Sequence, residues 1–444
     1  MYKIGFLKDL KHNIYFKLAI ILVLISLLLV PTTMLKELIH ERENVQTSAI
    51  KEVSAKWGNG QTIIGPYISV PYVKYAQNNV PDSTKRMITA KGSLNILPDE
   101  LNINGEVSPE KRYRGIYEVV VYESDFTING NFNDFDFNEL DLEIENILFD
   151  KATINMGISD LKGIDKQIRL NWDGEEILFD PGTKTTDIAT TGINAPISIN
   201  TNDSMNFPFS LNINLKGSQH LYFVPLGKTT DVNLSSNWAT PSFTGTYLPD
   251  ERVINNDGFT ANWNILHLNR NYPQSWIGDK YKVLNSAFGA DLLLPVDNYK
   301  KSYRVVRYSI LFLALTFMVF FFVEVLKKIF IHPIQYLLVG IALVLFYSLL
   351  ISFSEHIAFN IAYISAAALT LFLITAYATA ILKSRNIGAL IFGVLTVMYS
   401  FIFSIIQMED YALLLGSIGL FLILGIVMYF SRKIDWYNIK IGGK

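Results

Sequence analysis

Residues Leu18–Leu35 read LAIILVLISLLLVPTTML, eighteen residues without a charge. A helix that crosses the hydrocarbon of a bilayer needs about 20 apolar residues, so this run predicts a membrane span. Five more runs of the same kind follow near the other end, at Tyr308–Val323, Ile334–Phe353, Ile357–Leu382, Ile387–Ile406 and Tyr411–Phe430. The first run lacks small residues at the positions a signal peptidase reads and continues as Val30-Pro31-Thr32-Thr33-Met34, which predicts an uncleaved anchor. The expected organisation is a basic segment at 1–17, an anchor helix at 18–35, a large insertion at 36–307, five spans within 308–430 and a tail at 431–444.

Charge supports the division. The 444 residues carry a net −2, but 36–307 hold 26 Lys and Arg against 34 Asp and Glu, and the remainder 12 against 6. A basic membrane part is joined to an acidic soluble part. The twelve basic residues of the first part all fall on one side of a six-span arrangement: Lys3, Lys8, Lys11 and Lys17, then Lys327 and Lys328, Lys383 and Arg385, and Arg432, Lys433, Lys440 and Lys444. The short loops Ser354–His356 and Gln407–Asp410 have none. Because Lys and Arg accumulate on the cytoplasmic side, both termini are expected there and residues 36–307 outside the cytoplasmic membrane. Half the residues are hydrophobic, 18% are charged and mean hydropathy is +0.26, which excludes a disordered chain. The absence of cysteine excludes disulfides, thiolate metal sites and thiol catalysis. The near-neutral charge argues against nucleic acid as a partner.

Beyond the first span, Leu35, Leu38, Ile39, Val45, Ala49, Ile50 and Val53 recur at helical spacing, with Gly58 and Gly60 as stops. Either the span continues as one rod to about Trp57, or a separate amphipathic helix lies on the membrane. From Gln61 the period becomes two, in Ser93–Ile96, Ile116–Tyr122, Leu140–Ile144, Gln167–Trp172, Leu211–Leu215, Leu221–Val224 and Val232–Leu234. Turn pairs stand at Asn104-Gly105, Asn129-Gly130, Asp173-Gly174 and Asp257-Gly258. The expected fold class is therefore an α+β membrane protein. A six-helix transmembrane bundle carries a β-rich, sandwich-like domain, of one or two lobes, between spans one and two.

Three patches of the insertion mix aromatics, Gly or Pro and polar groups: Trp57 to Gln61 with Gly65-Pro66, Trp238 to Phe243, and Asn269 to Gln274. They read either as tight turns or as ligand surface. Together with the span pattern they resemble the CreD family of bacterial inner-membrane proteins. Further matches in order include Glu41-Arg42, Arg114-Gly115-Ile116-Tyr117, Gly217-Ser218, Pro295-Val296-Asp297-Asn298-Tyr299, Phe321-Phe322-Val323-Glu324, His332-Pro333-Ile334-Gln335-Tyr336 and Ser352-Phe353-Ser354-Glu355-His356. The resemblance implies an inner-membrane location and a setting in the Cre two-component response, envelope stress, and tolerance to colicins and cell-wall antibiotics. It implies no reaction.

Ionisable residues near membrane helices are costly and merit attention. Glu324 lies about 24 Å along its helix from Tyr308, near one interface, with His332 in the next loop. Glu355 and His356 lie at the opposite face. The candidate binding residues are Trp57, Gln61, Trp238, Arg270, Tyr272, Gln274, Glu355 and His356, with Glu324 and His332 as interface polar groups. The six histidines have no partner at metal-ligand spacing, and no catalytic, nucleotide or cofactor motif is found. Ser48 and Lys51 fit S-x-x-K, but the match is of a kind expected by chance and falls on the predicted helix. The expected function is non-enzymatic, an outer domain that binds or senses an envelope component. Membrane lipid and an envelope protein or cell-wall component are the expected partners, with no nucleotide and with oligomeric state open. The alternative is a transporter or lipid-handling protein, because five clustered spans exceed what anchoring needs.

Overall fold

The computed structural model describes residues 14–75, 88–133, 147–199, 206–292, 298–408, 411–432 and 434. The strand read at Leu140–Ile144, the basic residues Lys3, Lys8, Lys11, Lys433, Lys440 and Lys444, and part of the Pro295–Tyr299 motif lie outside them. The chain forms two compact units, one of 47–295 and one of the residues on either side of it. The short stretches 36–46 and 296–307, inside the range read from hydropathy as the insertion, thus belong with the helical unit.

The helices are α1 (Ile14–Trp57), α2 (Asn298–Arg307), α3 (Ser309–Lys327), α4 (Pro333–Ser354), α5 (Phe359–Leu382), α6 (Arg385–Gln407) and α7 (Ala412–Ser431). All but α2 are long and apolar enough to cross a membrane, giving six such helices among the described residues. The helical spacing after Leu35 is realised as an extension of the first span, in one helix of 44 residues that passes through Pro31. A lone Pro is tolerated in membrane helices, where neighbours re-satisfy the freed backbone groups. Within the helical unit α1 buries a narrow seam at Ile14, Lys17, Ile21, Leu28, Thr32 and Ile39. Leu28 packs over Gly340 of α4 so closely that a Cβ there would fall 2.2 Å from its Cδ1. The interior of the bundle is aromatic. Phe346 meets Tyr347, Tyr363 and Tyr399 edge-on, and the Tyr363 hydroxyl donates to the Tyr399 carbonyl at 2.8 Å. By contrast α7 buries only Gly419.

In the β-unit two sheets share one hydrophobic core. Strand Gln61–Tyr75 lies within the first sheet, parallel to His220–Val224 and antiparallel to Ile88–Ile96 and Thr153–Ile158. The second sheet is built on Glu100–Arg114, Tyr117–Asn133 and Asn206–Ser218, with Thr229–Ser236 parallel to the first of these. Alternate residues point inward, as in Leu101, Ile103 and Val107. Aromatic contacts cross between the sheets: Phe126 meets Phe223 at 5.6 Å and Trp263 meets Phe288 at 5.5 Å. The chain passes from the second sheet to the first at Gln219, which has a φ of 65° between strands ending at Ser218 and starting at His220.

Two of the four turn pairs are not turns. Asn104-Gly105 and Asn129-Gly130 lie inside long strands, near one another in register. There glycine serves close packing: a Cβ on Gly105 would sit 2.2 Å from the Phe126 ring, and one on Gly130 would sit 1.9 Å from the Glu100 carbonyl. The hairpin between these strands turns instead at Gly115-Ile116, with Gly115 at a φ of 63°. Asp173-Gly174 does turn its hairpin, with φ of 49° and 87° as a type I′ turn requires.

Candidate functional site

Lys17 and Glu324 were separate features of the sequence, one in the basic flank and one near an interface. The structure joins them. Lys17 Nζ lies 2.8 Å from Glu324 Oε1, and Glu324 is fully buried. The second carboxylate oxygen accepts from the Tyr336 hydroxyl at 2.8 Å, and Oε1 also accepts from the Ile331 amide at 3.1 Å. The ammonium donates in addition to the Ile331 carbonyl and faces the rings of Phe330 and Tyr336 at 4.7 and 5.2 Å. A buried carboxylate with a cation and two further donors is satisfied on all sides, which is what makes a buried ion pair tolerable. His332 is outside this cluster. It is exposed and caps α4, its Nδ1 accepting from the Ile334 amide while Gln335 Oε1 accepts from the His332 amide.

Glu355 follows the other end of α4, about 33 Å away for 22 residues at 1.5 Å each. Its Oε1 lies 3.7 Å from Arg42 Nε and 3.3 Å from the Tyr299 hydroxyl. Asn298 donates nearby to the Ser354 carbonyl at 2.8 Å. His356 is exposed, so the adjacent pair is split between a packed carboxylate and a solvent-facing imidazole.

In the β-unit the candidates fall into three groups. Trp57 ends α1, its indole N–H donating to the Tyr122 carbonyl at 3.2 Å. The Arg112 guanidinium stands 4.0 Å from its ring and the Lys216 ammonium 5.3 Å. Gln61 is fully buried: its amide donates to the carbonyls of Asp160 and Lys216, and its oxygen accepts from the Asp160 amide. Burial would raise the Asp160 carboxyl, but hydrogen bonds from the Asn59 and Lys162 amides and the Asn59 side chain outweigh it and hold the pKa below the usual value. Trp238 stands apart, half-buried against the core with its N–H on the Thr240 carbonyl.

Arg270, Tyr272 and Gln274 come together. The Arg270 guanidinium donates to the carbonyls of Tyr272, Leu226 and Gly227 and to Gln274 Oε1, and stacks 4.4 Å over the Tyr272 ring. Burial pushes it down to about 10, so it remains charged at neutral pH. Tyr272, pushed up to about 12 by burial, donates to the Pro225 carbonyl, and Gln274 donates to the Pro98 carbonyl at 2.8 Å. These groups clamp one loop onto another.

Sequence reasoning missed Lys17, Tyr336, Arg42, Arg112 and Lys216 as members of these clusters. For Lys17 a signal exists, since it falls on the Ile14, Ile21, Leu28 stripe. It also passed over His220, whose ring stacks on Tyr222 at 4.6 Å, with Tyr222 bonded to Asp291. Burial lowers the His220 pKa, opposed by the Asp291 charge. Among the described residues no group of three or more His, Asp or Glu side chains is placed to hold a metal ion.

Six apolar helices with a two-sheet domain carried between the first and second define a multi-pass α+β membrane protein. The family described as Inner membrane protein CreD matches over residues 13–437, and the chain belongs to that family. Inner membrane protein CreD of Escherichia coli (strain K12) is 30% identical over 441 residues, covering 97% of this chain and 96% of that protein. Among solved structures, an M1 zinc metallopeptidase from Deinococcus radiodurans aligns over 39% of each chain at 10% identity and a TM-score of 0.18. Leukotriene A4 hydrolase from Saccharomyces cerevisiae aligns over 44% of this chain and 29% of its own, at 10% identity and a TM-score of 0.18. Likeness at that level carries no argument about fold or activity.

Proposed function

We propose that this inner-membrane protein is a non-enzymatic component of the envelope stress response that confers tolerance to colicins and cell-wall antibiotics. In this reading the β-domain is extracytoplasmic, binds or senses an envelope component, and passes its state to a bundle with both termini in the cytoplasm. The carrying observation is the continuity of α1. One helix holds the first span and ends at Trp57, where the indole is fixed by the Tyr122 carbonyl and flanked by Arg112 and Lys216. The one-sided distribution of basic residues supports the orientation.

Two experiments test it. The chain has no cysteine, so a single introduced thiol is unique. A membrane-impermeant maleimide should label Lys166→Cys in cells with a permeabilised outer membrane and leave Arg385→Cys untouched; the reverse pattern overturns the orientation. A flexible Gly-Ser insertion after Thr47 should abolish colicin and antibiotic tolerance at normal protein level, and full retention overturns the coupling role of α1.

A further inference from the structure

Between α3, α6 and α7 the helical unit has an open cleft of about 500 Å³ with apolar walls, among them Val319, Val394, Leu422 and Ile426. Volumes of this order are those of ligand sites. One end is closed by contact of α6 with α7: the Phe401 ring occupies the space where a Cβ on Gly419 would lie, 2.0 Å away. Toward the other end Phe322 and Phe430 face each other at 6.2 Å. From Leu315 to Lys327, both in the lining, α3 rises about 18 Å. One leaflet of hydrocarbon is about 15 Å, half of the roughly 30 Å core. The cleft therefore has the length of one acyl chain entering from one face of the membrane.

What distinguishes this cleft from ordinary lipid-facing surface is the charge at its mouth. Lys327 belongs to the lining. Lys328 follows it and Arg385 starts α6, so three basic groups stand at the end of α3 and the start of α6, on one side of the bundle; Arg432, after α7, instead stacks 4.2 Å over the Tyr429 ring, outside the cleft. Lys327, Lys328 and Arg385 are exposed, and neither Lys327 nor Lys328 makes an ion pair among the described residues. The apolar cleft and its basic mouth match the two ends of a lipid of one kind. We propose that the cleft seats one acyl chain of an anionic phospholipid, with the phosphate held by Lys327, Lys328 and Arg385. This stands independently of what the β-domain binds.

The test uses the full-length protein in phosphatidylcholine nanodiscs doped with phosphatidylglycerol that carries a photoreactive group on one acyl chain. Adducts should concentrate in 315–327, 387–401 and 419–430. They should exceed those on α5, whose Ile361, Ile364 and Phe372 are equally exposed. Unlabelled phosphatidylglycerol should compete and phosphatidylcholine should not. Val394→Trp fills the cleft and should remove the labelling. Should that variant fold poorly, the doubly substituted Lys327→Gln, Lys328→Gln protein leaves the walls intact and should weaken phosphatidylglycerol binding about tenfold or more, as loss of two surface cations implies. Labelling spread evenly over α5 and the cleft, equal labelling by a phosphatidylcholine probe, or no effect of the lysine changes each overturns the proposal. Displacement by a polyprenyl phosphate that phosphatidylglycerol cannot reverse overturns the assignment of the occupant.

Discussion

Lys17 Nζ and Glu324 Oε1 stand 2.8 Å apart, both side chains buried, although 307 positions separate them in the chain. The carboxylate is fully enclosed and the ammonium nearly so. Their attraction repays desolvation only because Tyr336, the Ile331 amide and the Ile331 carbonyl complete the hydrogen bonding. The pair fixes the start of α1 to the end of α3.

Removing one partner leaves the other charge buried alone. Lys17→Met is expected to destabilise the protein by about 3–5 kcal/mol, and the double change Lys17→Met, Glu324→Leu to recover most of that loss. Thermal unfolding in a mild detergent measures both. A single substitution with no effect, or a double substitution as harmful as the single, contradicts the reading of a closed ion pair.

Arg270 is the corresponding buried cation of the β-unit, held by carbonyls instead of a carboxylate. Arg270→Met strands those carbonyls, and Arg270→Lys cannot reproduce the planar fork. Each should cost about 1–3 kcal/mol for each buried group left unsatisfied. Denaturant unfolding followed by tryptophan fluorescence reports it. Full stability in the lysine variant would show that geometry at this position is unimportant.

The His220 pKa lies below its ordinary value, burial outweighing the Asp291 charge. The folded form therefore binds this proton less readily than the unfolded chain. Stability from this residue is complete above the unfolded value near 6.5 and is lost as pH falls through the lower folded value. Melting temperature should drop as pH falls below the unfolded value near 6.5, and His220→Gln should flatten that part of the profile. An unchanged profile in the variant assigns the acid sensitivity to other groups.

The glycines of the second sheet separate packing from turning. Gly130→Ala must displace the Glu100 backbone, which cannot swing aside, and should cost on the order of 1–3 kcal/mol or more. Gly115→Ala meets nothing within 4 Å and carries only the backbone cost of a positive φ, about 1–2 kcal/mol. Paired unfolding curves decide the order, and equal losses would argue against the close approach at Gly130.

The six spans are legible in the sequence because a charge-free run near 20 residues has one solution in a bilayer. The β-rich insertion is legible from period two, and the long helix from the spacing of Leu35 to Val53. Two of the turns are not, because an Asn-Gly pair looks the same whether its glycine bends the chain or makes room for Phe126 across a sheet. The candidate groups divide in the same way. Gln61 and Arg270 stand out in a linear reading by residue type alone; the carbonyls of Asp160, Lys216, Leu226 and Gly227 that they bond leave no mark on the sequence. Lys17 reads as one more basic flank residue until the partner on α3 is brought beside it.

The parallel pairing of Gln61 with Leu221 sets a schedule for how the protein is made. At about 5–20 residues per second, the first strand waits on the order of 10–30 s for the neighbour that closes its edge. Thr229–Ser236 must likewise arrive before Glu100–Arg114 is fully paired. Through that interval the new chain presents unpaired strands, the form most prone to wrong association. The domain therefore completes its sheets late, shortly before the second span emerges at Ser309, and a pause or truncation before residue 224 leaves a tethered, open-edged chain in place of a smaller folded one.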